Sequence, residues 1–155
     1  MKKLIVLRHG EAGFSNGLDF QRQLTQKGKS ALEQLGKVIS EKNISVDFMY
    51  CSPATRTRET AQIMGDFLEI HDQKYSMEIY DGHLESLIHL LEKTSNAVET
   101  CLLVGHNPTI SLLVSHISDG DYVGLQPGMM AILELHVSDW AMVGHGTGSL
   151  VEILH

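Results

Sequence analysis

Short runs of apolar residues alternate along the chain with longer segments of helical periodicity. Residues 4–7 (LIVL) form a continuous apolar run, which is typical of a central strand covered on both faces. Apolar residues at 75, 77 and 79 alternate with polar ones, which predicts a partly exposed strand. Further strands are predicted over 46–51, 100–104, 129–137 and 149–154.

Four segments between these strands place apolar residues on one helical face. Thr25 is a suitable N-cap for the first helix, and Pro53 suits the first helical position of the second. The predicted apolar faces consist of residues 32, 35, 38 and 39; 61, 64 and 68; 84, 87, 88 and 91; and 110, 113, 114 and 117. This alternation predicts an α/β fold, a three-layer α/β/α sandwich with a mostly parallel central sheet. The last two strands, with no helix between them, are expected to pair antiparallel.

The bulk properties are those of one globular domain, predicted to span residues 1–155. The chain has 155 residues, 43% of them hydrophobic, and a formal net charge of −7, which argues against nucleic-acid binding. No signal peptide or membrane-spanning run is found, and Cys51 and Cys101 are expected to be buried free thiols, so cytoplasm is the expected compartment. In an acidic protein, any anion site requires a local concentration of cations.

Three of the predicted strands end in unusual polar residues. Arg8-His9-Gly10 follows the first strand, Ser52-Pro53 leads to Arg56 after the second, and Gly105-His106-Asn107-Pro108 follows the strand at 100–104. In an open α/β sheet the carboxyl ends of parallel strands share one edge, where ligands bind. Residues about 50 and 100 positions apart are therefore expected to meet in one crevice.

The segments that carry these residues have a family resemblance. LRHGEA, SPATRTRETA and VGHNP resemble the three signature segments of the histidine phosphatase superfamily, which has a phosphoglycerate-mutase-like fold. The short chain, the RQLTQKG segment (22–28) and the GHNP segment are similar to the small SixA-type members. Those members are phosphohistidine phosphatases that act on phosphorylated signalling proteins. The resemblance runs in order from residue 3 to about residue 117.

The resemblance implies a role for each motif residue. His9 would be the nucleophile that forms a phosphohistidine enzyme, with its other ring nitrogen protonated and held by an acceptor. Arg8, Arg22 and Arg56 would bind the phosphoryl oxygens, because guanidinium groups match them bidentately and stay charged. His106 would donate to the same oxygens in the transition state. No metal ion or other cofactor is implied.

Two features depart from the family pattern. Larger relatives carry a carboxylate that protonates the leaving oxygen, whereas here the available acids are Glu11 and Asp81, and neither matches a motif. Imidazole, with a pKa of about 6.5, leaves more readily than an alkoxide. The absence of a motif carboxylate therefore favours a substrate with a phosphorus–nitrogen bond. Gln23 stands where small members usually have proline, which loosens the loop that carries Arg22.

These observations predict a metal-independent phosphatase that removes phosphate from phosphohistidine in a signalling protein, such as a histidine-containing phosphotransfer domain. One alternative is a phosphatase for a small phosphomonoester, and another is a non-catalytic phosphate-binding module. No nucleic-acid or membrane partner is expected. The other histidines are interpreted as surface or structural, although His145-Gly146 is a candidate for lining the pocket. The loop over 140–148 either rims the pocket or closes the sheet.

Overall fold

The computed structural model of the protein describes residues 1–155, which form a six-stranded sheet with helices on both faces. Along the chain the strands are β1 Lys2–Arg8, β2 Ser45–Val46, β3 Phe48–Cys51, β4 Glu69–Ile70, β5 Gln73–Tyr75, β6 Thr100–Gly105, β7 Met130–Leu135 and β8 Gly148–Leu154. The α-helices are α1 Gln26–Ser40, α2 Thr55–Gly65, α3 Met77–Asp81, α4 Leu84–Glu92 and α5 Thr109–Ser118. Short 3₁₀ turns cover Asp19–Gln21 and Trp140–Met142.

The central sheet has the strand order β5-β3-β6-β1-β7-β8, and β2 pairs separately with β4. Strand β1 is parallel to β6, and β3 is parallel to both β6 and β5, whereas β7 runs antiparallel to β1 and β8. The predicted mostly parallel sheet and the antiparallel final pair are therefore confirmed. The register pairs Arg8 with Gly105, which brings the ends of β1 and β6 side by side.

The two faces of the sheet bury separate hydrophobic layers. In β1, Leu4 and Val6 pack into the layer with α4 and α5, while Ile5 and Leu7 pack into the layer with α1 and α2. All four side chains are fully buried, as a strand covered on both faces requires. This arrangement confirms the three-layer α/β/α fold.

Helix α1 begins as the sequence predicts. The Thr25 side chain accepts a hydrogen bond from the Gly28 backbone N–H at 2.9 Å, and residues 32, 35 and 39 are buried. Val38 is 44% exposed, so its prediction as part of the buried face was wrong. At about 100° per residue, Val38 lies roughly 60° beyond Leu35, outside the stripe that contacts the sheet.

Three predicted elements differ in detail from the structure. The strand predicted over 46–51 is split at Asp47, whose carboxylate accepts hydrogen bonds from the backbone N–H groups of Glu99 and Thr100, at 2.9 Å each. The predicted strand through residue 79 stops at Tyr75, because Ser76 caps helix α3 by accepting from Glu78 N–H. Pro53 lies before α2, whose N-cap is Ala54, and not at its first helical position.

The loop over 140–148 closes the core. Trp140 is fully buried, and its indole N–H donates to the Val98 carbonyl at 2.7 Å. His145 contacts Asp119, the C-cap of α5, so it lies at the end of that helix remote from His106 and does not line the predicted pocket. The longest helix has 15 residues, and no helix combines the length and apolar character needed to cross a bilayer.

Candidate active site

The ends of β1, β3 and β6 meet at one edge of the sheet, as the strand-end motifs predict. The His9 backbone N–H donates to the Gly105 carbonyl at 3.2 Å, and the Ser52 backbone N–H donates to Val104 at 3.1 Å. The rings of His9 and His106 have centroids only 5.3 Å apart. Parallel pairing therefore brings residues nearly 100 positions apart in the sequence into one site.

His9 is oriented by a backbone carbonyl. Its Nδ1 lies 2.7 Å from the Gly10 carbonyl oxygen, and a carbonyl can only accept, so Nδ1 carries the proton and Nε2 keeps its lone pair. The side chain is buried, and burial lowers the pKa of His9 to about 4. The hydrogen bond to Gly10 opposes this shift, and the positive charges of Arg56, Arg8 and Arg22 add to it. The ring is therefore neutral at neutral pH, with a lone pair on Nε2.

His106 is also buried and neutral. Its Nε2 lies 2.8 Å from the Ser52 hydroxyl, and its Nδ1 is buried without a hydrogen-bond partner. Burial, followed by the proximity of His9 and Arg56, lowers the pKa of His106 to about 3. A neutral imidazole here can donate one hydrogen bond to a negatively charged ligand without carrying a charge itself.

Arg8 and Arg56 bring positive charge to the two histidines. Arg8 donates from Nη1 to the Leu125 carbonyl at 3.0 Å, and burial lowers the pKa of its guanidinium. Arg56 is only 6% exposed, whereas Arg58, two residues along α2, is exposed and stacks on Tyr75. The Nε atoms of both Arg8 and Arg56 are buried without a partner. Unpaired buried donors are rare and costly, and they point to a ligand at this site.

Arg22 fastens the loop that precedes α1. Its three nitrogen atoms donate to the Gly13 carbonyl at 2.8 Å, the Asp19 carboxylate at 3.1 Å and the Ala12 carbonyl at 3.4 Å. The predicted contact with a phosphoryl group would have to use the N–H groups that remain, because a guanidinium has five. Arg22 thus stabilises the conformation of the loop before α1.

Asp19 and Tyr80 join the site although the sequence analysis did not select them. The Asp19 carboxylate accepts from Arg22 and Arg56, at 3.1 Å each, and from the Tyr80 hydroxyl at 2.7 Å. The hydrogen bond from Tyr80, followed by those from Arg22 and Arg56, lowers the pKa of Asp19 to about 2. The only sequence signal for Asp19 is its negative charge, three residues before Arg22. No sequence signal marks Tyr80, which follows a segment predicted as a strand.

The acids proposed from the sequence lie elsewhere. Glu11 accepts from the Thr25 hydroxyl at 2.9 Å and lies 3.9 Å from the Lys27 amine, so its carboxylate faces the start of α1. Asp81 is exposed at the last residue of α3. The carboxylate that the fold brings to the arginines is that of Asp19.

The fold and this site define an α/β protein in which two neutral histidines are surrounded by arginines at the carboxyl edge of a parallel sheet. Residues 4–94 match the sequence profile of the histidine phosphatase superfamily (branch 1). The chain belongs to that superfamily.

Individual relatives agree with this membership. An uncharacterized protein from Mycobacterium tuberculosis is 29% identical over 108 residues, which cover 69% of this chain and 66% of that relative, just under two thirds of its length. A Nakamurella multipartitia structure, provisionally assigned as a phosphohistidine phosphatase SixA, superposes with a TM-score of 0.81 at 26% identity, covering 99% of this chain and 95% of that one. The structure of the protein histidine phosphatase SixA complexed with tungstate superposes with a TM-score of 0.86 at 20% identity, covering 98% and 96%. The fold is therefore that of the SixA-type, phosphoglycerate-mutase-like proteins.

Proposed function

We propose that this protein is a phosphatase that uses His9 as its nucleophile and forms a phosphohistidine intermediate. Superfamily membership supports phosphatase activity. The observation that carries the proposal is the hydrogen bond from His9 Nδ1 to the Gly10 carbonyl, which leaves the Nε2 lone pair free beside the arginines.

The reaction proceeds in two transfers. The Nε2 lone pair attacks phosphorus, and the bond from phosphorus to the leaving group breaks with its electron pair going to that group. Water then attacks the phosphorus of the phosphorylated His9, and the bond to Nε2 breaks with its electron pair returning to Nε2. Inorganic phosphate leaves, and the proton released by the water passes to solvent. Arg8, Arg56 and His106 stabilise the phosphoryl oxygens in both transfers through their N–H groups. Arg22 is proposed to add a further contact.

We further propose that the substrate is phosphohistidine in a signalling protein. With its pKa lowered to about 2, Asp19 is ionised and donates no proton at neutral pH. An alkoxide leaving group would need a proton donor in the site. An imidazole departs as a neutral ring once its other nitrogen is protonated, and solvent supplies that proton near pH 6.5. The connection from α2 to β6 consists of two short strands and the helices α3 and α4, with no inserted domain. The SixA resemblance supports the same substrate.

The test compares the wild type with His9→Ala on a phosphorylated histidine-containing phosphotransfer domain and on small phosphate monoesters. We expect turnover of the phosphoprotein by the wild type, none by His9→Ala, and an acid-labile phosphoenzyme in alkaline quench samples of the wild type. His71→Ala, which removes an exposed histidine, is the control and should retain full activity.

Each alternative has its own outcome. Faster hydrolysis of monoesters than of the phosphoprotein at matched concentration would favour a small-molecule phosphatase. Phosphate binding without any turnover would favour a non-catalytic module. Normal turnover by His9→Ala would refute the assignment of the nucleophile.

A further inference from the structure

The Asp19 carboxylate links three parts of the chain that are distant in sequence. One oxygen accepts from Arg22, in the same loop, and the other accepts from Arg56 on α2 and from Tyr80 on α3. The Asp19 backbone carbonyl also accepts from Arg56 Nη1 at 2.8 Å. Arg56 is therefore held at two points by a single residue.

The edge of the guanidinium that Asp19 occupies leaves another edge available. Asp19 contacts Nη1 and Nη2 of Arg56, whereas Nε is buried and has no partner. A guanidinium can pair bidentately through the Nε–Nη edge as well as through the Nη1–Nη2 edge. Asp19 thus fixes the plane of the group and leaves three of its five N–H groups without a contact to Asp19.

Tyr80 holds Asp19 in this position through the same carboxylate oxygen that accepts from Arg56. Its hydroxyl donates to the carboxylate at 2.7 Å, and its ring packs edge-on against Phe20 at 5.0 Å and against His106 at 5.5 Å. The ring contacts and the hydroxyl together tie the loop around Asp19 to the second histidine of the site. Without these contacts, the half-exposed Asp19 side chain would populate several solvent-exposed rotamers.

We propose that Asp19 and Tyr80 are positioning residues for the phosphatase reaction: Tyr80 orients the Asp19 carboxylate, and Asp19 orients the guanidinium of Arg56 toward the phosphoryl group. This inference rests on the proposed function. Oriented donors contribute to catalysis because they are already in place when charge develops, and a displacement of about 1 Å can cost on the order of a hundred-fold in rate.

A competing explanation predicts effects of the opposite sign. If Asp19 were only an anion that competes with phosphate for Arg56, removing its charge would strengthen oxyanion binding and leave kcat unchanged. If Asp19 positions Arg56, removing the charge loosens the guanidinium, so oxyanion binding weakens and kcat falls. The direction of the change in affinity therefore separates the two explanations.

The experiment measures tungstate affinity by isothermal titration calorimetry, and kcat and KM on the phosphoprotein, for Asp19→Asn and Tyr80→Phe. We expect tungstate to bind Asp19→Asn about ten-fold more weakly, the equivalent of one charge-assisted hydrogen bond. We expect kcat to fall by about a hundred-fold in Asp19→Asn and by about ten-fold in Tyr80→Phe, which keeps the ring and the Asp19 charge. The double variant should lose no more than Asp19→Asn, since both act through one carboxylate.

Two matched substitutions serve as controls. Tyr75→Phe removes a tyrosine hydroxyl on β5, and Asp66→Asn removes an exposed carboxylate after α2; neither should alter tungstate affinity or kcat. Melting temperatures of the test variants should stay within the range of these controls. Tighter tungstate binding with unchanged kcat in Asp19→Asn would overturn the inference, as would a loss of activity that only follows a lower melting temperature. Absence of turnover in the wild type would instead refute the proposed function, and the tungstate measurement would still report on Arg56.

Discussion

At the scale of single residues, the site depends on two histidines kept neutral by burial. Both His9 and His106 are less than one tenth exposed, and their pKa values are lowered to about 4 and about 3. The neighbouring arginines would repel an imidazolium, so the same cations that would bind phosphate add to the effect of burial and help to keep His9 unprotonated. In the proposed reaction, one electrostatic arrangement would serve both binding and reactivity.

The lowered pKa values predict how stability depends on pH. Below about pH 6.5 the unfolded chain protonates these histidines while the native state does not, so the free energy of unfolding falls as the pH drops from about 6.5 toward 4. His106→Gln removes one such group and should make this decline shallower, by up to about 1.4 kcal/mol per pH unit. Urea unfolding between about pH 7 and pH 4.5 measures the slope.

A slope in His106→Gln as steep as that of the wild type would show that His106 is protonated alike in the folded and unfolded states.

At the scale of elements, the position of His9 depends on how α1 packs against the segment after β1. A methyl group added at Gly28, in the first turn of α1, would clash with the Glu11 carbonyl oxygen. The Thr25 backbone N–H donates to the same carbonyl at 2.9 Å. The residue two positions after His9 is thus fixed by close contact between backbones.

Gly28→Ala should therefore destabilise the protein by about 1–3 kcal/mol and lower its activity, although alanine is the better helix former. Chemical denaturation and kcat/KM measure the two effects. Gly65→Ala, at the last residue of α2, meets no atom within 4 Å and should be neutral or slightly stabilising. Equal effects of the two substitutions would contradict the close contact at Glu11.

At the scale of the whole molecule, the two hydrophobic layers share one sheet. Strand β1 contributes residues to both layers, and each layer contains one of the two cysteines. Cys51 lies with α1 and α2, and Cys101 lies with α4, α5 and Trp140. Burial raises the pKa of Cys51 to about 12 and also raises that of Cys101, so both thiols are unreactive while the fold is closed.

We predict that residues 1–155 unfold as one cooperative domain. Trp140 fluorescence, far-ultraviolet circular dichroism and the labelling of both thiols should report the same midpoint in urea, because each layer needs the sheet that the other covers. Exposure of Cys51 at a lower urea concentration than Cys101 would instead show two independently stable layers.

Elements whose patterns are local can be predicted from the amino-acid sequence. The apolar run of β1, the Thr25 cap of α1 and the helical faces of α4 and α5 can each be identified within a dozen residues. The strand-end positions of His9 and His106 then placed both at one edge, because the edge geometry of a parallel sheet is general. The segment between β5 and β6 is harder to predict from the sequence. The alternation of apolar and polar residues at 75–79 resembles a strand, and only the Ser76 cap shows that a helix begins there.

The pairing of the charged groups in the site depends on the tertiary structure. Asp19 and Arg56 are 37 positions apart and Asp19 and Tyr80 are 61 apart, and no periodicity connects them. Whether a carboxylate faces an arginine, a cap or solvent depends on the path of a loop through space, as Glu11 and Asp19 show in the same loop. Apolar patterns repeat along the chain because each element must bury one face. The partners in an ion pair depend instead on which side chains lie close together in the folded protein.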